Sequence, residues 1–488
     1  MTNTSSQKLS VLEKIGYSLG DLAANLIFQT LLAFLAFFYT DIYKIPPAKA
    51  SMVMLIGGVV GAFFNIIMGA IADRTNTKWG KFRPWVLWTA IPFGVIALLA
   101  FSTPNFNETG KLTYAFITYF LLVIIYSANN LPYSALSGVL TGDMKERNSL
   151  SSYRFVAVMA AQFIIQVLLL PLAISLGHGD KAAGFEKVMF VFAITGIICF
   201  IITFLTTKER ITPPKEQKTP ILQDLTDLTK NKPWIIMLTL TILVFITLSI
   251  KGGVNIYYLK NFLTEDSQIS FLNSIGFNDM LNGLSNHFGK AAFEEFYKPG
   301  SAPYAVSSIV GACSTIAMII GIFFSKPLAD KFGKRNVFGI FLTLSAFCLI
   351  AINLLNNSSV SAYVLMQTLH GFIYGITIPL LWAMIADVAD FSEWKNNRRA
   401  TAIIFSAMIF GLKVGLSVGG AISAWLLGIF GYNADALKQT ASAIEGIKLL
   451  SSIVPGVIFI SGACLLFWYG IDKKMELQIE SDLKEKRK

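Results

Sequence analysis

Polar side chains recur at helical spacing inside otherwise apolar stretches of this chain. Asp21, Asn25 and Gln29 lie four residues apart, so they share one face of a helix. Polar groups are costly in hydrocarbon and usually face a bundle interior or a water-filled cavity. Carboxylate, amide, guanidinium and ammonium groups are also the partners that a hydroxyl-rich solute requires. The pattern therefore indicates a binding path for a polar solute.

Five other predicted helices carry similar stripes. Their members are Tyr126, Asn130, Tyr133 and Ser137; Arg154, Gln162 and Gln166; Lys251, Asn255 and Tyr258; Gln367, His370, Tyr374 and Thr377; and Ser406, Lys413 and Ser417. Aromatic residues beside these stripes, among them Trp382, favour a sugar, because the C–H faces of sugar rings stack on aromatic side chains. Other polar organic solutes would suit the same residue types.

Each candidate also has a structural alternative. A single amide or hydroxyl is more often a helix–helix hydrogen bond than a ligand contact. For Lys413, deep in its helix, the alternative is a structural counter-ion, and for Arg154 it is a salt bridge of a gate. Asp21 is expected to form an ion pair with a nearby cation. His370 is more typical of a hydrogen-bonded bundle histidine than of a proton carrier.

These residues require a membrane-spanning scaffold. The 488-residue chain is 54% apolar and 14% charged, whereas a soluble protein carries about a quarter charged residues. Apolar runs of roughly 20 residues can cross a bilayer. They predict an all-α membrane protein with twelve transmembrane helices. The predicted spans are approximately 16–41, 50–72, 84–104, 112–140, 150–176, 185–206, 234–260, 304–327, 336–355, 359–386, 400–429 and 446–471.

A short motif recurs half a chain apart. Segments 71–85 (IADRTNTKWGKFRPW) and 327–335 (PLADKFGKR) both place Ala-Asp-basic and then Gly-Lys between apolar helices. Repetition of this kind is typical of transporters with two related halves. The predicted domains are an N-terminal six-helix half at 1–207, a cytoplasmic linker at 208–233, a C-terminal six-helix half at 234–471 and a cytoplasmic tail at 472–488.

Two connecting segments have predicted structure of their own. The linker contains a short amphipathic stretch at 221–228, which favours a helix on the membrane surface over a regulatory docking site. An external segment at 261–303 is expected to form one or two short helices that pack on the surface. A lid over the substrate path is the alternative for that segment.

The net charge of +11 reflects the predicted topology of the chain in the membrane. Most of the 40 Lys and Arg residues fall in segments that are cytoplasmic if the N-terminus is inside. We therefore expect a multi-pass protein of the inner (plasma) membrane with both termini in the cytoplasm. Because the basic residues are spread over many loops, nucleic acid is not an expected partner. The expected partners are a small sugar and the lipid bilayer, and the expected state is a monomer.

The sequence contains no pattern of an enzyme or a metal site. The four cysteines lie in predicted spans without CxxC spacing, and neither HExxH nor a nucleophile–histidine constellation occurs. We predict a transporter rather than an enzyme, channel or metalloprotein. No cofactor is expected beyond a co-transported H⁺ or Na⁺.

Six segments together form a distinctive set. They are GYSLGDLAANLIFQ (16–29), FFYTD (37–41), IADRTNTKWGKFRPW (71–85), NNLPYSAL (129–136), IYYLKNFL (256–263) and PLLWAMIADVADFSEWKNNRRAT (379–401). This set resembles the glycoside–pentoside–hexuronide:cation symporters, a branch of the major facilitator superfamily. The resemblance implies two pseudo-symmetric six-helix halves and secondary active sugar transport by alternating access. A cation-independent facilitator of the same substrates is the alternative function.

The resemblance also implies site residues. Counting back from FFYTD, Asn25 falls where melibiose-type members carry a sugar-binding Asp, and Asn130 falls where they carry another. Tyr126, Arg154 and Lys413 match family positions that line the sugar site. The full predicted substrate-binding set is Asn25, Tyr126, Asn130, Arg154, Lys413, Asp21, Gln29, Lys251 and Trp382.

The sequence departs from the family at the sodium site. Sodium-coupled members typically carry an acidic pair spaced i, i+4 on the second helix, where both carboxylates can share a hard cation. Here Gly61 and Asn65 occupy the two positions, and Asn65 with Ser127 opposite offers only neutral oxygens. Sodium coupling of the usual kind is therefore not expected. A proton carried through Asp21 or His370 is the hypothesis for any coupling.

Charged loop residues are predicted to act as gates. We expect them to pair with helix ends when the cytoplasmic side is closed and to bias a two-state equilibrium by about 1–3 kcal/mol. Topogenic charge without a gating role is the alternative. The predicted gating residues are Asp73, Arg74, Arg83, Asp330, Asp387 and Arg398.

Overall fold

The described part of the chain is helical. A computed structural model describes residues 8–141, 144–210, 229–288, 298–396, 401–436 and 438–486. Within these ranges there is no strand, only an isolated bridge between Thr77 and Gly80. In the described part of the chain, twelve helical segments are long and apolar enough to cross a membrane. The predicted fold class and number of spans are therefore confirmed.

The helices follow one another along the chain with short connections. In order they are α1 (Val11–Phe37), α2 (Pro47–Arg74), α3 (Arg83–Ala100), α4 (Glu108–Leu140), α5 (Met144–Gly177), α6 (Lys181–Thr206), α7 (Lys232–Asn261), α8 (Glu265–Ser274), α9 (Phe277–Phe288), α10 (Ala302–Phe332), α11 (Lys334–Ala351), α12 (Val360–Asn396), α13 (Thr401–Ile429), α14 (Ala441–Ser451), α15 (Ile453–Leu465) and α16 (Lys473–Lys486). The short helices α8 and α9 fall in the segment 261–303, as predicted. The amphipathic stretch at 221–228 lies outside the described residues.

The last span is broken, whereas the sequence predicts one continuous helix over 446–471. Ser452 separates α14 from α15 with a non-helical φ of −133° and ψ of −78°. Pro455 lies in the first turn of α15. A proline has no N–H for the carbonyl four residues earlier, and its ring clashes with that carbonyl in a straight helix. The break removes both conflicts.

The chain divides into two compact units. Unit 1 comprises 1–216, 272–308 and 433–437, and unit 2 comprises 217–271, 309–432 and 438–488. In unit 1, α1 packs against α5 and α6, while α4 packs against α2 and α3. In unit 2, α7 packs against α13 and α15, and α11 packs against α12 and α15.

Helices that lack polar stripes expose apolar ones. These residues recur every three or four positions, which places them on one helix face. The exposed residues are Trp88, Ile91, Val95 and Leu99 on α3, Phe190, Ile194 and Ile198 on α6, and Ile340, Leu344 and Phe347 on α11. A bilayer would cover such faces, so α3, α6 and α11 have the character of lipid-facing helices.

Glycines bring α2 into close contact with α4 in unit 1. A Cβ atom at Gly57 would lie 2.6 Å from the Tyr119 ring, and one at Gly61 would lie 1.9 Å from Cγ1 of Val123. Both distances are far below van der Waals contact, so only glycine allows the helices to approach this closely. Gly61 is therefore a packing residue of the contact between α2 and α4.

We expect Gly61→Ala to destabilise the protein and Gly69→Ala to leave it nearly unchanged. The added methyl group at position 61 overlaps Val123, and overpacking costs about 1–3 kcal/mol. At Gly69 on the same helix, a Cβ would lie 3.5 Å from Leu131, an ordinary contact. Thermal unfolding of the purified variants in detergent should show a lower midpoint for Gly61→Ala only. Equal midpoints for the two variants would contradict the packing role.

Candidate functional site

A buried ion pair joins α1 to α5 in unit 1. The Asp21 carboxylate accepts hydrogen bonds from Arg154 Nε at 2.5 Å and from Arg154 Nη2 at 3.3 Å. The Tyr133 hydroxyl of α4 lies 3.0 Å from the same carboxylate. The Asp21 side chain is 6% exposed and the Arg154 side chain 27% exposed. The expected pairing of Asp21 with a cation is therefore present, and it joins residues from three of the predicted polar stripes.

Two stacked tyrosines support this ion pair. The rings of Tyr17 and Tyr133 lie 4.6 Å apart at an angle of 17°, and each hydroxyl reaches the other residue's backbone carbonyl, at 2.8 and 2.7 Å. The Arg154 guanidinium carbon lies 5.6 and 5.4 Å from the two ring centroids, within cation–π range. A Cβ at Gly20 would lie 2.4 Å from the Tyr133 ring, so glycine makes room for the stack.

The arrangement leaves Arg154 able to bind a further group. Among the described residues, its Nη1 nitrogen has no hydrogen-bond acceptor, while Nε and Nη2 are held by Asp21. Arg154 can therefore donate to an incoming oxygen without giving up its buried partner. Asp21 orients Arg154 and is itself occupied.

The other predicted residues of unit 1 lie on the same helices. The Asn25 amide nitrogen donates to the backbone carbonyl of Asp21 at 2.9 Å, which leaves its side-chain oxygen as an acceptor. Tyr126 is half-buried and stacks on Phe28 at 5.6 Å. Gln29 is buried and Asn130 half-buried.

In unit 2, a lysine is paired with a histidine. Lys251 Nζ on α7 lies 2.9 Å from His370 Nδ1 on α12. His370 is 1% exposed and stacks on Tyr374 at 5.9 Å and on Phe459 at 6.3 Å. Because an ammonium group only donates, Nδ1 accepts and the imidazole proton lies on Nε2. In the described part of the chain, that buried Nε2 has no partner.

A second tyrosine stack joins α7 to α12. Tyr258 and Tyr363 lie 4.6 Å apart at 18°. The Tyr363 hydroxyl donates to Asn255 Oδ1 at 2.7 Å and accepts from Gln367 Nε2 at 3.1 Å. Two predicted polar stripes therefore meet through a tyrosine that belongs to neither.

Sequence reasoning missed Tyr17 and Tyr363, one tyrosine of each stack. Each lies four residues before a predicted polar residue, Asp21 or Gln367, and so extends that stripe by one turn. Extending every polar stripe by one turn in both directions would have found both residues.

Glycines on α13 determine the face on which Lys413 lies. Cβ atoms at Gly415 and Gly419 would lie 2.6 and 2.5 Å from the backbone carbonyls of Ile242 and Ile246 on α7. Lys413 precedes Gly415 by two residues, about 200° around the helix, so it points away from α7. Lys413 is half-buried, and Trp382 on α12 is 37% exposed.

The predicted cation-coupling residues on α2 and α4 form no charged site. Asn65 is half-buried, and the buried Ser127 hydroxyl donates to the Val123 carbonyl of its own helix at 2.8 Å. Over the described ranges, no cluster of three or more His, Cys, Asp or Glu side chains could hold a metal ion.

Two predicted gating residues form contacts within their own units. Arg83 Nε donates to the Phe204 carbonyl at 2.7 Å, and its guanidinium carbon lies 4.2 Å from the Phe204 ring centroid. The Asp387 carboxylate accepts two hydrogen bonds from Lys334 Nζ, at 2.6 and 2.9 Å. Arg74 and Asp330 are exposed. The Asp73 side chain and all of Arg398 lie outside the described part of the chain.

Comparison with known proteins identifies close relatives over nearly the whole chain. Residues 16–287 and 303–473 match the family described as MFS/sugar transport protein. The inner membrane symporter YicJ of Escherichia coli (strain K12) is 34% identical, covering 94% of this chain and 92% of the relative. The isoprimeverose transporter of Lactiplantibacillus pentosus is 30% identical, covering 97% and 91%. A glucuronide carrier protein homolog of Escherichia coli (strain K12) is 26% identical, covering 99% and 97%.

Solved structures of transporters share the fold. A D-xylose-proton symporter has a TM-score of 0.59 at 12% identity, covering 95% of this chain and 98% of that structure. The nucleoside transporter NupG has a TM-score of 0.57 at 14% identity, covering 93% and 98%. Identities this low bear on the fold alone, and the predicted major facilitator fold is confirmed.

We expect Asp21→Asn or Arg154→Gln alone to lower stability strongly, and the double variant to recover much of the loss. Each single change leaves one buried charge unpaired, which costs about 3–5 kcal/mol, whereas the double change leaves none. Thermal unfolding in detergent measures the effect. The exposed pair Lys44–Asp435, with side chains 41% and 73% exposed, supplies the control. Asp435→Asn should change stability by less than about 1 kcal/mol. A double variant whose loss equals the sum of the single losses would contradict this account.

Proposed function

The chain belongs to the glycoside–pentoside–hexuronide:cation symporter family of MFS sugar transport proteins, and we propose that it carries a small sugar or glycoside across the inner membrane by alternating access, coupled to protons rather than sodium. It is a secondary transporter and not an enzyme. It is a multi-pass membrane protein, and we place both of its termini in the cytoplasm and take it to act as a monomer.

The observation that carries the proposed cargo is the geometry of Arg154. Asp21 and two tyrosine rings hold the guanidinium, and among the described residues its Nη1 nitrogen has no acceptor. A fixed donor held by Asp21, whose helix also carries the half-buried Asn25, suits a hydroxyl-bearing ring, which needs both hydrogen-bond partners and an aromatic face such as that of Tyr126. In unit 2, Lys413 and Trp382 remain predictions for sugar contact.

Two relatives suggest which sugars to test first. One is named an isoprimeverose transporter and another a glucuronide carrier homolog. We propose that the cargo of this chain falls in that range, from neutral pentose-containing disaccharides to glycosides of uronic acids.

Two observations support a proton over sodium. The close contact between Gly61 and Val123 leaves no room for a carboxylate at the first sodium-site position of α2. In unit 2, the Lys251–His370 pair joins, through one hydrogen bond, two groups that can each bind a proton. Of the two predicted proton carriers, His370 is favoured, because Asp21 is occupied by Arg154 and Tyr133.

The same contact at Gly61 is also compatible with a second function. A chain without the acidic pair could transport its sugar by facilitated diffusion, with no cation coupling. The two functions differ in one measurable property, which is accumulation of sugar against its gradient.

Uptake into proteoliposomes tests the function. Purified protein should take up isoprimeverose or p-nitrophenyl β-D-glucuronide and accumulate it when an inward proton gradient is imposed. A sodium gradient at constant pH should have no effect. Uptake that stops at equal concentrations under either gradient would establish the facilitator instead. Failure to transport either sugar class would contradict the proposed cargo.

We expect His370→Gln to abolish accumulation driven by the proton gradient while exchange of internal for external sugar continues. Glutamine keeps a hydrogen-bonding group beside Lys251 but cannot carry the proton. His178 is exposed in the loop after α5 with φ of 46°, and His178→Asn is the matched control because Asn tolerates that backbone. Accumulation retained in His370→Gln would rule out this histidine as the coupling group.

A further inference from the structure

The segment that follows α6 binds the start of α3. The Glu209 carboxylate accepts hydrogen bonds from the backbone N–H groups of Lys81, Phe82 and Arg83 at 2.8, 2.7 and 2.8 Å. The first N–H groups of a helix have no partner within it, and Phe82 at the N-cap supplies none from its side chain. Glu209 therefore caps α3 from outside, and its negative charge is favourable at a helix N-terminus.

Arg210, the next residue, donates hydrogen bonds to backbone carbonyls at the end of α4. The Arg210 backbone N–H donates to the Val139 carbonyl at 2.9 Å, and its Nη1 donates to the Leu140 carbonyl at 3.3 Å. The Arg210 guanidinium also forms two hydrogen bonds to Glu13 on α1, at 2.6 and 2.8 Å. These bonds raise the pKa of Arg210 above its usual value. A positive charge is favourable at a helix C-terminus.

The glycine of the repeated Gly-Lys motif makes room for Glu209. Gly80 has a φ of 116°, and a Cβ there would lie 2.4 Å from the Glu209 carboxylate carbon. Both the backbone conformation and the space exclude other residues. The first copy of the motif therefore has the backbone conformation and the space that Glu209, in the segment after α6, requires.

The second copy has a counterpart in unit 2. Gly333 has a φ of 84°, and a Cβ there would lie 3.2 Å from the side chain of Lys473, the first residue of α16. Lys473 Nζ donates to the Asp330 carbonyl at the end of α10 at 2.6 Å. Glu476, one turn further, pairs with Lys334 at 2.9 Å. Residues after the last span of unit 2 thus bind a carbonyl at the end of α10 and the side chain of the first residue of α11.

We propose that the segment after the last span of each unit positions that unit's motif loop, and that Glu209 is the positioning residue for the loop at 75–82. Glu209 ties this loop to α6, and Arg210 ties the same segment to α1 and α4. The loop therefore moves together with three helices when the transporter changes state. Sugar binding depends on side chains within the spans and does not require the tie. The effect on transport rests on the proposed function, whereas the positioning itself does not.

Hydrogen exchange tests the positioning directly. In the purified full-length protein, the amides of residues 81–83 should exchange about tenfold faster in Glu209→Ala, because each loses a charged acceptor. Glu209→Gln keeps one acceptor oxygen and should give a smaller increase, and Gly80→Ala should act in the same direction. Glu485→Gln is the control, since Glu485 is exposed near the end of α16. Unchanged exchange at 81–83 in Glu209→Ala would overturn the proposal.

A transport measurement tests the consequence. With isoprimeverose and p-nitrophenyl β-D-glucuronide as probes, Glu209→Gln should keep the dissociation constant within about twofold and slow sugar exchange by about tenfold. Loss of binding in proportion to transport, or unchanged transport, would overturn the role in the transport cycle. If the wild-type protein transports neither probe, the proposed function fails, and the hydrogen-exchange result still decides the positioning.

Discussion

A charge inside a membrane must be paired, and this requirement determines how the spans of each unit meet. Asp21 would be costly in hydrocarbon alone, and it is instead surrounded by Arg154 and the Tyr133 hydroxyl. The pair ties α1, α4 and α5 together at one level of the bundle. The stacked rings of Tyr17 and Tyr133 contact the Arg154 guanidinium through cation–π interactions. Arg154 therefore joins helices through Asp21 and still has one nitrogen, Nη1, that no described residue accepts from. A binding site for a polar solute needs a donor of this kind.

Unit 2 meets the same requirement with different chemistry. Lys251 is paired with a neutral imidazole, and no described residue places a carboxylate within salt-bridge distance of it. A cation and a neutral acceptor can exchange a proton without creating a second buried charge, whereas an ion pair such as Asp21–Arg154 cannot do so without leaving one charge unpaired. This difference is the physical basis for proposing different roles for the two clusters, orientation of a donor in unit 1 and proton exchange in unit 2.

The sequence predicted the spans and several members of both clusters but not which residues pair across helices. Apolar runs and four-residue spacing depend on local chemistry, so the twelve spans and the stripes containing Asp21, Tyr133, Arg154, Lys251 and His370 could be read directly. Membership of the transporter family also confirms that the chain is not an enzyme. Which residues pair across helices depends on tertiary packing. The contact of Glu209 with the amides of 81–83 joins positions about 127 apart and has no local signal. The packing role of Gly61 also has no signal in the sequence, because the sequence does not show how closely another helix approaches a glycine.

The two copies of the repeated motif share a backbone conformation but bind partners of opposite charge. In both copies a glycine with positive φ leads into a helix whose first N–H groups lack internal partners, or follows a helix whose last carbonyls do. The backbone groups differ between the copies: Glu209 accepts from N–H groups at the start of α3 in unit 1, and Lys473 donates to a carbonyl at the end of α10 in unit 2. Glycine leaves the backbone open to either partner, and the helix end selects the sign of the charge. The two copies therefore share the glycine that shapes the loop, and the charge of each partner is the one that its helix terminus favours.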